Sequence, residues 1–246
     1  MRLRRQIGLL ISLLGVTFIL LLGSGSAASA QSNAPIVVND TGNGEDSNLN
    51  DGTCRTSNGR CTLRAAISQS NRNAGPDTIN FNISGNGPHT IDLNGQELDP
   101  LVDGRLTING YSEPRSSVNT SQLTFNADIR IQIDGGGADY IFRIQSPENT
   151  FRGLAAYDGD IIFDFLNENA DGNRLIGNII GSDHDTNFQR GGGIGILMNT
   201  GPDQNIIGTP DRADRNVISG NGLYGIRINH GPSSFNIIQN LSLIHI

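Results

Sequence analysis

Short apolar runs separated by glycine and asparagine recur along the second half of this chain. One phrase consists of an asparagine, two or three mostly apolar residues, and then a glycine or asparagine. Its copies begin at Asn149, Asn173, Asn205, Asn216 and Asn236. Runs of about three to five residues are too short to bury a face alone, so each must stack on an equivalent run. The pattern predicts a solenoid of short strands and not a single globular core.

The residues within the runs favour a parallel β-helix, because β-branched side chains fit a pleated, half-buried surface. We expect Ile206, Val217 and Ile237 to share one interior. We expect the asparagine that closes each run to take a left-handed or bridge conformation at the corner and to bond the asparagine one coil away. A leucine-rich repeat would need regularly spaced leucines, and a helical repeat would need a sustained 3.6-residue period; the chain shows neither.

The spacing of the phrase predicts the size of one coil. Its copies begin 24, 32, 11 and 20 residues apart, which suggests about 20 to 25 residues per coil. The 11-residue gap predicts two copies on different sides of one coil. Alternating apolar and polar residues at 78–83, 90–93, 106–110 and 129–135 extend the strands upstream, so residues 77–246 would make roughly seven to eight coils. An apolar run at 241–246 without a cap after it predicts a fragment of a longer protein.

Residues 1–30 resemble an export signal. Arg2, Arg4 and Arg5 precede an apolar stretch at 7–22, and the segment ends in Ala28-Ser29-Ala30, which fits a small-x-small cleavage pattern. The mature chain would begin near Gln31 and be secreted or held at the cell surface. The alternative is an uncleaved anchor, which would also place the remainder outside the cell.

Residues 31–76 form a separate N-terminal module that holds both cysteines, Cys54 and Cys61. In an exported chain two cysteines this close predict a disulfide. A metal site would need two further ligands at a fixed spacing, and none is evident. After Cys61 the pattern becomes helical, with Thr62 as the N-cap. Leu63, Ala66 and Ile67 would share one face of a helix that ends by Asn71 and Asn73.

The segment at 61–71, CTLRAAISQSN, resembles the CSLREA motif found near the start of many exported bacterial proteins with right-handed parallel β-helix repeats. Other segments also resemble those proteins. They are the residues before the motif, at 38–42 and 51–54, and the repeat at 216–225. Two positions depart from the motif: Ala65 replaces a glutamate, which removes a capping-box partner for Thr62, and Ser70 replaces an alanine.

The resemblance implies an all-β fold, a right-handed parallel β-helix of the pectin-lyase-like class with a short N-terminal helical cap. It also implies surface attachment or structural display. The module at 31–76 would then cover the open edge of the first coil, and 77–246 would form the β-helix.

Charge and composition exclude several functions. Arginine accounts for all 17 basic residues, so lysine Schiff-base and lysine general-base chemistry are excluded. The net charge of −7 becomes −10 without residues 1–30, because three arginines and no acids are removed. A negative chain repels phosphate, so nucleic acid is not an expected partner, and no membrane contact is expected beyond the export signal.

Candidate chemistry is sparse. The best cluster, at 181–186, contains Asp183 and Asp185, which are weak candidates for Ca²⁺ ligands. The alternative is that these acids cap a turn between coils. A second calcium candidate at 46–52 begins like an EF-hand loop, but its glycine falls one place late and Ser57 stands where a glutamate is needed. The repeats carry four further acids, Asp134, Asp158, Asp160 and Asp164. Two basic residues, His184 and Arg190, lie near the cluster at 181–186.

These observations predict an exported, non-catalytic structural or adhesion element at the cell surface or outside the cell. Its expected partners are surface glycans or the surface of a host or neighbouring cell. We assign no catalytic residue and no cofactor, with calcium as the open alternative. The competing functions are a polysaccharide lyase or hydrolase using Asp183, Asp185 and Arg190, and a calcium-stabilised glycan-binding module. Fold alone does not decide between them.

Overall fold

The computed structural model describes residues 34–185, 191–229 and 233–244, so the proposed signal segment lies outside the described residues. Its strands, in chain order, are β1 (Ile36–Val38), β2 (Thr78–Phe81), β3 (His89–Asp92), β4 (Thr107–Asn109), β5 (Ile131–Ile144), β6 (Thr150–Arg152), β7 (Leu154–Leu166), β8 (Arg174–Ile176), β9 (Ile179–Ile180), β10 (Ile194–Asn199), β11 (Ile206–Ile207), β12 (Asn216–Ser219), β13 (Tyr224–Asn229), β14 (Ile237–Ile238) and β15 (Leu241–Ile244). The helix α1 spans Leu63–Ser70, and short 3₁₀ turns occupy Gly110–Ser112 and Arg212–Asp214.

The strands form two parallel sheets. The first contains seven strands in the order β1-β2-β4-β6-β8-β11-β14. The second contains eight strands and forks at β7: its first half pairs with β9, which leads to β12 and β15, and its second half pairs with β10, which leads to β13. Neither sheet closes on itself. The prediction of an all-β chain with one short N-terminal helix is therefore confirmed.

The repeated phrase alternates between the sheets. The phrases at Asn205 and Asn216 contribute to different sheets, β11 to the first and β12 to the second, which confirms the prediction from their 11-residue gap. Stacked asparagines lie 24, 32 and 31 residues apart, so the predicted repeat of about 20 to 25 residues is too short for most of the chain. Loops between the strands account for the difference.

Two strands are longer than the predicted three to five residues. β5 has 14 residues and β7 has 13, and their register shifts between Asp134 and Ala138. At this shift a Cβ on Gly135 would lie 2.4 Å from the carbonyl oxygen of Asp158, so only glycine allows the two strands to approach. The bend divides the second sheet into its two branches.

The core lies between the sheets and is built from apolar positions stacked in register. On the first sheet, Ile79, Ile108, Phe151, Leu175 and Ile207 follow one another and are fully buried. Phe151 meets Phe142 and Phe163 of the second sheet, with ring centroids 5.1–5.2 Å apart. These aromatic contacts join the two sheets.

The predicted interior is wrong by one residue at several positions. Ile207 and not Ile206 faces the core, and Ile237 is 47% exposed. Val217 is buried, but it belongs to a second cluster outside the main core, whereas Ile218 lies inside. Because side chains alternate between the faces of a strand, two adjacent isoleucines cannot both point inward.

Buried asparagines connect the strands of the first sheet at the corner that precedes each one. Asn149 donates its backbone N–H (2.7 Å) and its side-chain amide (2.9 Å) to Oδ1 of Asn173. The backbone N–H of Asn173 donates to Asn205 Oδ1, and that of Asn205 to Asn236 Oδ1, each at 2.8 Å. Asparagines of successive repeats are therefore bonded to one another, but these asparagines open the runs, whereas the prediction placed the bonds on those that close them. We call this series the asparagine ladder.

The left-handed residue at each corner is the one before the ladder asparagine. The positive φ values there lie between 57° and 65°. Only one of these residues is glycine, so the other corners hold side chains in a conformation that costs of order 1 kcal/mol or more each. The four residues are Glu148, Gly172, Gln204 and Phe235.

Helix α1 begins as predicted: Thr62 Oγ1 accepts a hydrogen bond from the backbone N–H of Ala65 at 3.1 Å. All eight helix residues are buried, however, and not only one face. The guanidinium of Arg64 donates to the carbonyl oxygens of Gln96 (3.0 Å) and Glu97 (2.6 Å), which satisfy the buried charge. Ala65 is fully buried; the motif that this segment resembles has a glutamate there.

The N-terminal segment is joined to the sheets. β1 pairs in parallel with β2 and forms the edge of the first sheet. The predicted disulfide between Cys54 and Cys61 is confirmed, with Cα atoms 5.3 Å apart. No helix within the described ranges is long and apolar enough to cross a bilayer.

Replacing one ladder asparagine should destabilise the fold. Asn173→Ala removes the acceptor of two hydrogen bonds from Asn149, so we expect the free energy of unfolding to fall by about 2 kcal/mol in urea denaturation. Asn169→Ala, at an exposed position, is the matched control and should stay within about 0.5 kcal/mol of the unmodified chain. Equal losses would contradict a structural role for the ladder.

Opening the disulfide should also destabilise the chain. The double change Cys54→Ser and Cys61→Ser should lower the free energy of unfolding by about 2.5 kcal/mol. The disulfide closes a small loop and so lowers the conformational entropy of the unfolded chain, and the double change removes this effect. Thermal unfolding with and without reductant measures the effect. The unreduced protein should show no reactive thiol, and reductant should not change the stability of the double variant.

Candidate functional site

One outer face of the second sheet is covered. On the branch that carries β9 and β12, Ala155, Ile179 and Val217 stack in register and form the second apolar cluster with Ile129. The segment at 110–130, which we call the covering loop, packs Tyr111 and two further residues, Phe125 and Ala127, against this cluster. This face is therefore closed to ligands.

Polar contacts fasten the covering loop. Arg215 donates to the carbonyl oxygens of Gln122 (2.7 Å) and Thr124 (3.3 Å), and Arg212 donates to that of Thr120 (3.0 Å). The Tyr111 hydroxyl donates to the carbonyl oxygen of Gly177 at 2.7 Å. Burial raises the pKa of the Tyr111 phenol well above its ordinary value, so the hydroxyl stays protonated. Because these contacts connect distant parts of the chain, they hold the loop in place.

On the other branch, two arginines, an aspartate and a leucine lie in register, and the aspartate and the leucine are buried. Arg143, Asp164, Leu197 and Arg227 are register partners on β5, β7, β10 and β13. Arg143 Nε donates to Asp164 Oδ2 at 2.8 Å, and the Asp164 side chain is 3% exposed. Arg227 Nε donates to Asn229 Oδ1 at 3.1 Å.

A tyrosine accompanies each arginine of this row. The guanidinium carbon of Arg143 lies 3.7 Å from the ring centroid of Tyr140, and that of Arg227 lies 5.1 Å from the ring of Tyr224. Both distances fit cation–π contact. Burial raises the pKa of the Tyr140 phenol, Arg143 opposes the shift, and nearby carboxylates add to it, so the hydroxyl stays protonated. We call Tyr140, Arg143, Tyr224 and Arg227, with Asp164 between them, the Tyr–Arg row.

The chemistry of this row suits binding. The carboxylate of Asp164 is buried and already paired with Arg143, so it is poorly placed for proton transfer to a ligand. Tyrosine rings offer an apolar face and a hydroxyl, and the arginine beside each ring adds hydrogen-bond donors. Hydroxyl-rich ligands would find both kinds of contact on one surface.

The acids predicted for calcium or catalysis lie elsewhere. The backbone N–H of His184 donates to Gln132 Oε1 at 3.2 Å, which places this turn beside the first half of β5. His184 Nε2 lies 3.0 Å from Asp185 Oδ1, whereas Asp183 Oδ1 is buried without a hydrogen-bond partner. Arg190 lies outside the described residues.

One of the two acids at this turn already has a basic partner. Ca²⁺ takes six to eight oxygen ligands, but one of the two carboxylates already faces His184. Within residues 34–185, 191–229 and 233–244, no group of three or more histidine, cysteine or acidic side chains is arranged to hold a metal ion. The calcium assignment to Asp183 and Asp185 therefore stays a prediction, and we derive no step through a metal.

The other predicted acids also serve local structure. Asp134 Oδ1 accepts the backbone N–H of Gly136 at 3.0 Å, and Asp158 has a left-handed φ of 58°. Asp160 is exposed. In the EF-hand-like loop, the Asp46 carboxylate accepts the backbone N–H groups of Asn48 (2.8 Å) and Arg55 (2.9 Å). The carboxylates of Asp134 and Asp46 therefore cap turns.

A further acidic cavity of about 440 Å³ is lined by Glu168, Asp171 and Asp203. Asp171 Oδ1 accepts the backbone N–H of Asp203 at 2.7 Å, and Asp203 Oδ1 accepts that of Ser234. The two aspartates lie two residues before Asn173 and Asn205, so they add a second set of bonds at the same corners as the asparagine ladder. Their role is to connect successive turns of chain.

Sequence reasoning missed most of the Tyr–Arg row. It selected Asp164, but not Tyr140, Arg143, Tyr224 or Arg227. Both arginines follow a tyrosine by three positions. In a regular strand this spacing places two side chains on opposite faces, so the sequence holds no reliable signal for the contact.

Comparison with known proteins gives no match: no protein-family model fits the chain, and neither a curated protein nor a solved structure matches it.

The Arg143–Asp164 pair should matter for stability. Arg143→Met should lower the free energy of unfolding by about 3 kcal/mol, because it leaves a buried carboxylate without its charged partner. Arg227→Met is the matched control, since Arg227 also contacts a tyrosine ring; it should cost less than about 1 kcal/mol. Urea denaturation of both variants measures the difference. A loss as large in Arg227→Met would show that ring contacts dominate.

Proposed function

We propose that the chain is an exported right-handed parallel β-helix that acts without catalysis, as a structural or adhesion element at the cell surface or outside the cell. Three observations support a parallel β-helix. Strands alternate between two sheets, each pairs in parallel with its counterpart in the next repeat, and the asparagine ladder keeps them in register. Crossovers between parallel strands are right-handed in nearly all proteins, which supports a right-handed rather than a left-handed helix.

The observation that carries the adhesive role is the Tyr–Arg row. The covering loop closes one face of the second sheet, whereas this row places two tyrosine–arginine pairs on the other branch. The pairs lie on β5 and β13, three strand spacings or about 14 Å apart. Such a surface suits an extended ligand and not a small enclosed one. Surface glycans, on a host or on a neighbouring cell, are the partners that this chemistry fits best.

A binding experiment tests the proposal. Protein lacking residues 1–30 would be applied to immobilised polysaccharides and to whole cells. The double change Tyr224→Ala and Arg227→Ala should weaken binding at least about tenfold, because it removes one of the two tyrosine–arginine pairs. Leu123→Ala is the matched control: Leu123 is 94% exposed on the covering loop and should be neutral.

Two outcomes would contradict the proposal. Equal binding by the unmodified protein and the double variant would remove the Tyr–Arg row from the function. Cleavage of an acidic polysaccharide, lost in Asp183→Ala, would instead establish the lyase or hydrolase alternative. Expression of the full chain in an exporting bacterium gives a separate test, since the protein outside the cell should begin near Gln31.

A further inference from the structure

Two partly buried arginines differ from the others in having no acceptor. Among the described residues, five of the seven arginines that are at least partly buried donate a side-chain hydrogen bond to an oxygen of the chain: Arg64, Arg130, Arg143, Arg215 and Arg227. The other two, Arg152 and Arg174, have neither a hydrogen-bond acceptor nor a carboxylate partner in the described part of the chain. A guanidinium that loses water without gaining an acceptor is unfavourable, so an external acceptor would stabilise both side chains.

The two arginines lie next to each other on the outer face of the first sheet. Arg174 on β8 is the register partner of Thr150 on β6, and Arg152 follows Thr150 by two residues. The intervening Phe151 and the neighbouring Leu175 belong to the core, so Thr150, Arg152 and Arg174 point away from it. With strands about 4.8 Å apart and two residues spanning about 6.6 Å, the Cα atoms of the arginines are roughly 8 Å apart. Both guanidiniums can therefore reach one ligand.

A tyrosine holds the first arginine in place. The guanidinium carbon of Arg152 lies 5.5 Å from the ring centroid of Tyr111, which is within the range of a cation–π contact. The Tyr111 hydroxyl is itself bonded to the carbonyl oxygen of Gly177. Arg152 Nε is buried and donates to no acceptor of the described chain. The position of Arg152 is thus set before any ligand binds, which lowers the entropy cost of binding.

A row of threonines lies beside the arginines. Thr78, Thr107 and Thr150 are register partners on β2, β4 and β6, and all three are partly exposed. Within the described ranges their hydroxyls make no hydrogen bond to the chain. A threonine hydroxyl can donate one hydrogen bond and accept others. Thr150, which adjoins both arginines, therefore adds a third donor to the two guanidiniums.

The number of donors favours a tetrahedral anion. Each guanidinium can donate two parallel hydrogen bonds to one oxyanion, and Thr150 can add another. A phosphate ester presents three terminal oxygens, and a sulfate ester has the same shape, whereas a carboxylate has only two oxygens. Because the whole chain has a net charge of −7, a polyanion such as nucleic acid would be repelled elsewhere on the surface. A single anionic group on an otherwise neutral ligand avoids that repulsion.

We infer that Arg152 and Arg174, with Thr150 between them, form a binding site for a sulfate or phosphate group on the outer face of the first sheet. The hydroxyls of Thr78 and Thr107 continue the site along the sheet, so a sulfated or phosphorylated sugar is the class of ligand that it fits. This surface belongs to the first sheet, whereas the Tyr–Arg row belongs to the second. The inference is therefore independent of the adhesive role.

Anion titration tests the inference. NMR of the ¹⁵N-labelled chain would follow the arginine Nε–H signals as sodium sulfate or sodium phosphate is added, with ionic strength held constant by sodium chloride. We expect saturable shifts of two arginine signals. Arg152→Gln and Arg174→Gln should each weaken binding at least about tenfold, because each removes a charge-assisted pair of hydrogen bonds. Arg60→Gln, which removes the same charge at an exposed position, is the matched control and should stay within about twofold.

Several outcomes would overturn the inference. Equal weakening by Arg60→Gln would show general attraction by positive charge and no defined site. If a glutamine variant does not fold by circular dichroism, the titration of the unmodified chain still decides, since the absence of any saturable Nε–H shift removes the site. Binding that survives Tyr224→Ala with Arg227→Ala separates this site from the Tyr–Arg row, whereas loss of anion binding in that double variant would assign the anion to the row.

Small sugars decide the ligand chemistry. Sulfated and phosphorylated oligosaccharides would be compared with a uronate and a neutral oligosaccharide of equal length in the same titration. We expect a sulfated or phosphorylated sugar to bind at least about tenfold more tightly than the other two, because only a three-oxygen group can accept from both guanidiniums and Thr150. A uronate that binds as tightly as the sulfated sugar would contradict the assignment to a tetrahedral group.

Discussion

Backbone hydrogen bonding at the corners is the constraint on which the rest of this structure depends. Each corner turns the chain from one sheet to the other, and the backbone N–H groups of Asn149 and Asn173 are buried there. Unpaired, each would cost about 1 to 3 kcal/mol. The side chains of Asn173, Asn205 and Asn236 accept these N–H groups strand after strand. Since the acceptor comes from the next strand, the same bonds fix the register.

Fixed register explains the core. Apolar residues stack on apolar residues because the asparagines two positions earlier are held in line, as with Asn149 before Phe151 and Asn173 before Leu175. The aromatic contacts of Phe151 with the second sheet then set the spacing between the sheets. A slip of one residue would turn every core side chain outward. The N-terminal segment, with its disulfide and the buried helix α1, completes the fold at the first strands.

Loops decide which surfaces are free. The covering loop and its contacts with Arg212 and Arg215 close one branch of the second sheet, whereas the Tyr–Arg row lies on the other. The sheet itself has the same repeating construction on both branches. The proposed adhesive surface therefore follows from where an insertion lies along the repeat and from the bend at Gly135 that separates the branches.

The sequence alone determined the parallel stacking of short strands, the asparagine contacts, the N-cap at Thr62 and the disulfide, because each depends on residues near in sequence or on a recurring phrase. Only the tertiary structure decided which isoleucine of a pair faces inward, since both satisfy the same local pattern. Tertiary structure also decided that three corner residues adopt the left-handed backbone conformation, which glycine adopts most easily. They are Glu148, Gln204 and Phe235. The Tyr–Arg row depends on strand register across β5 to β13, and register is set by contacts between residues far apart in sequence.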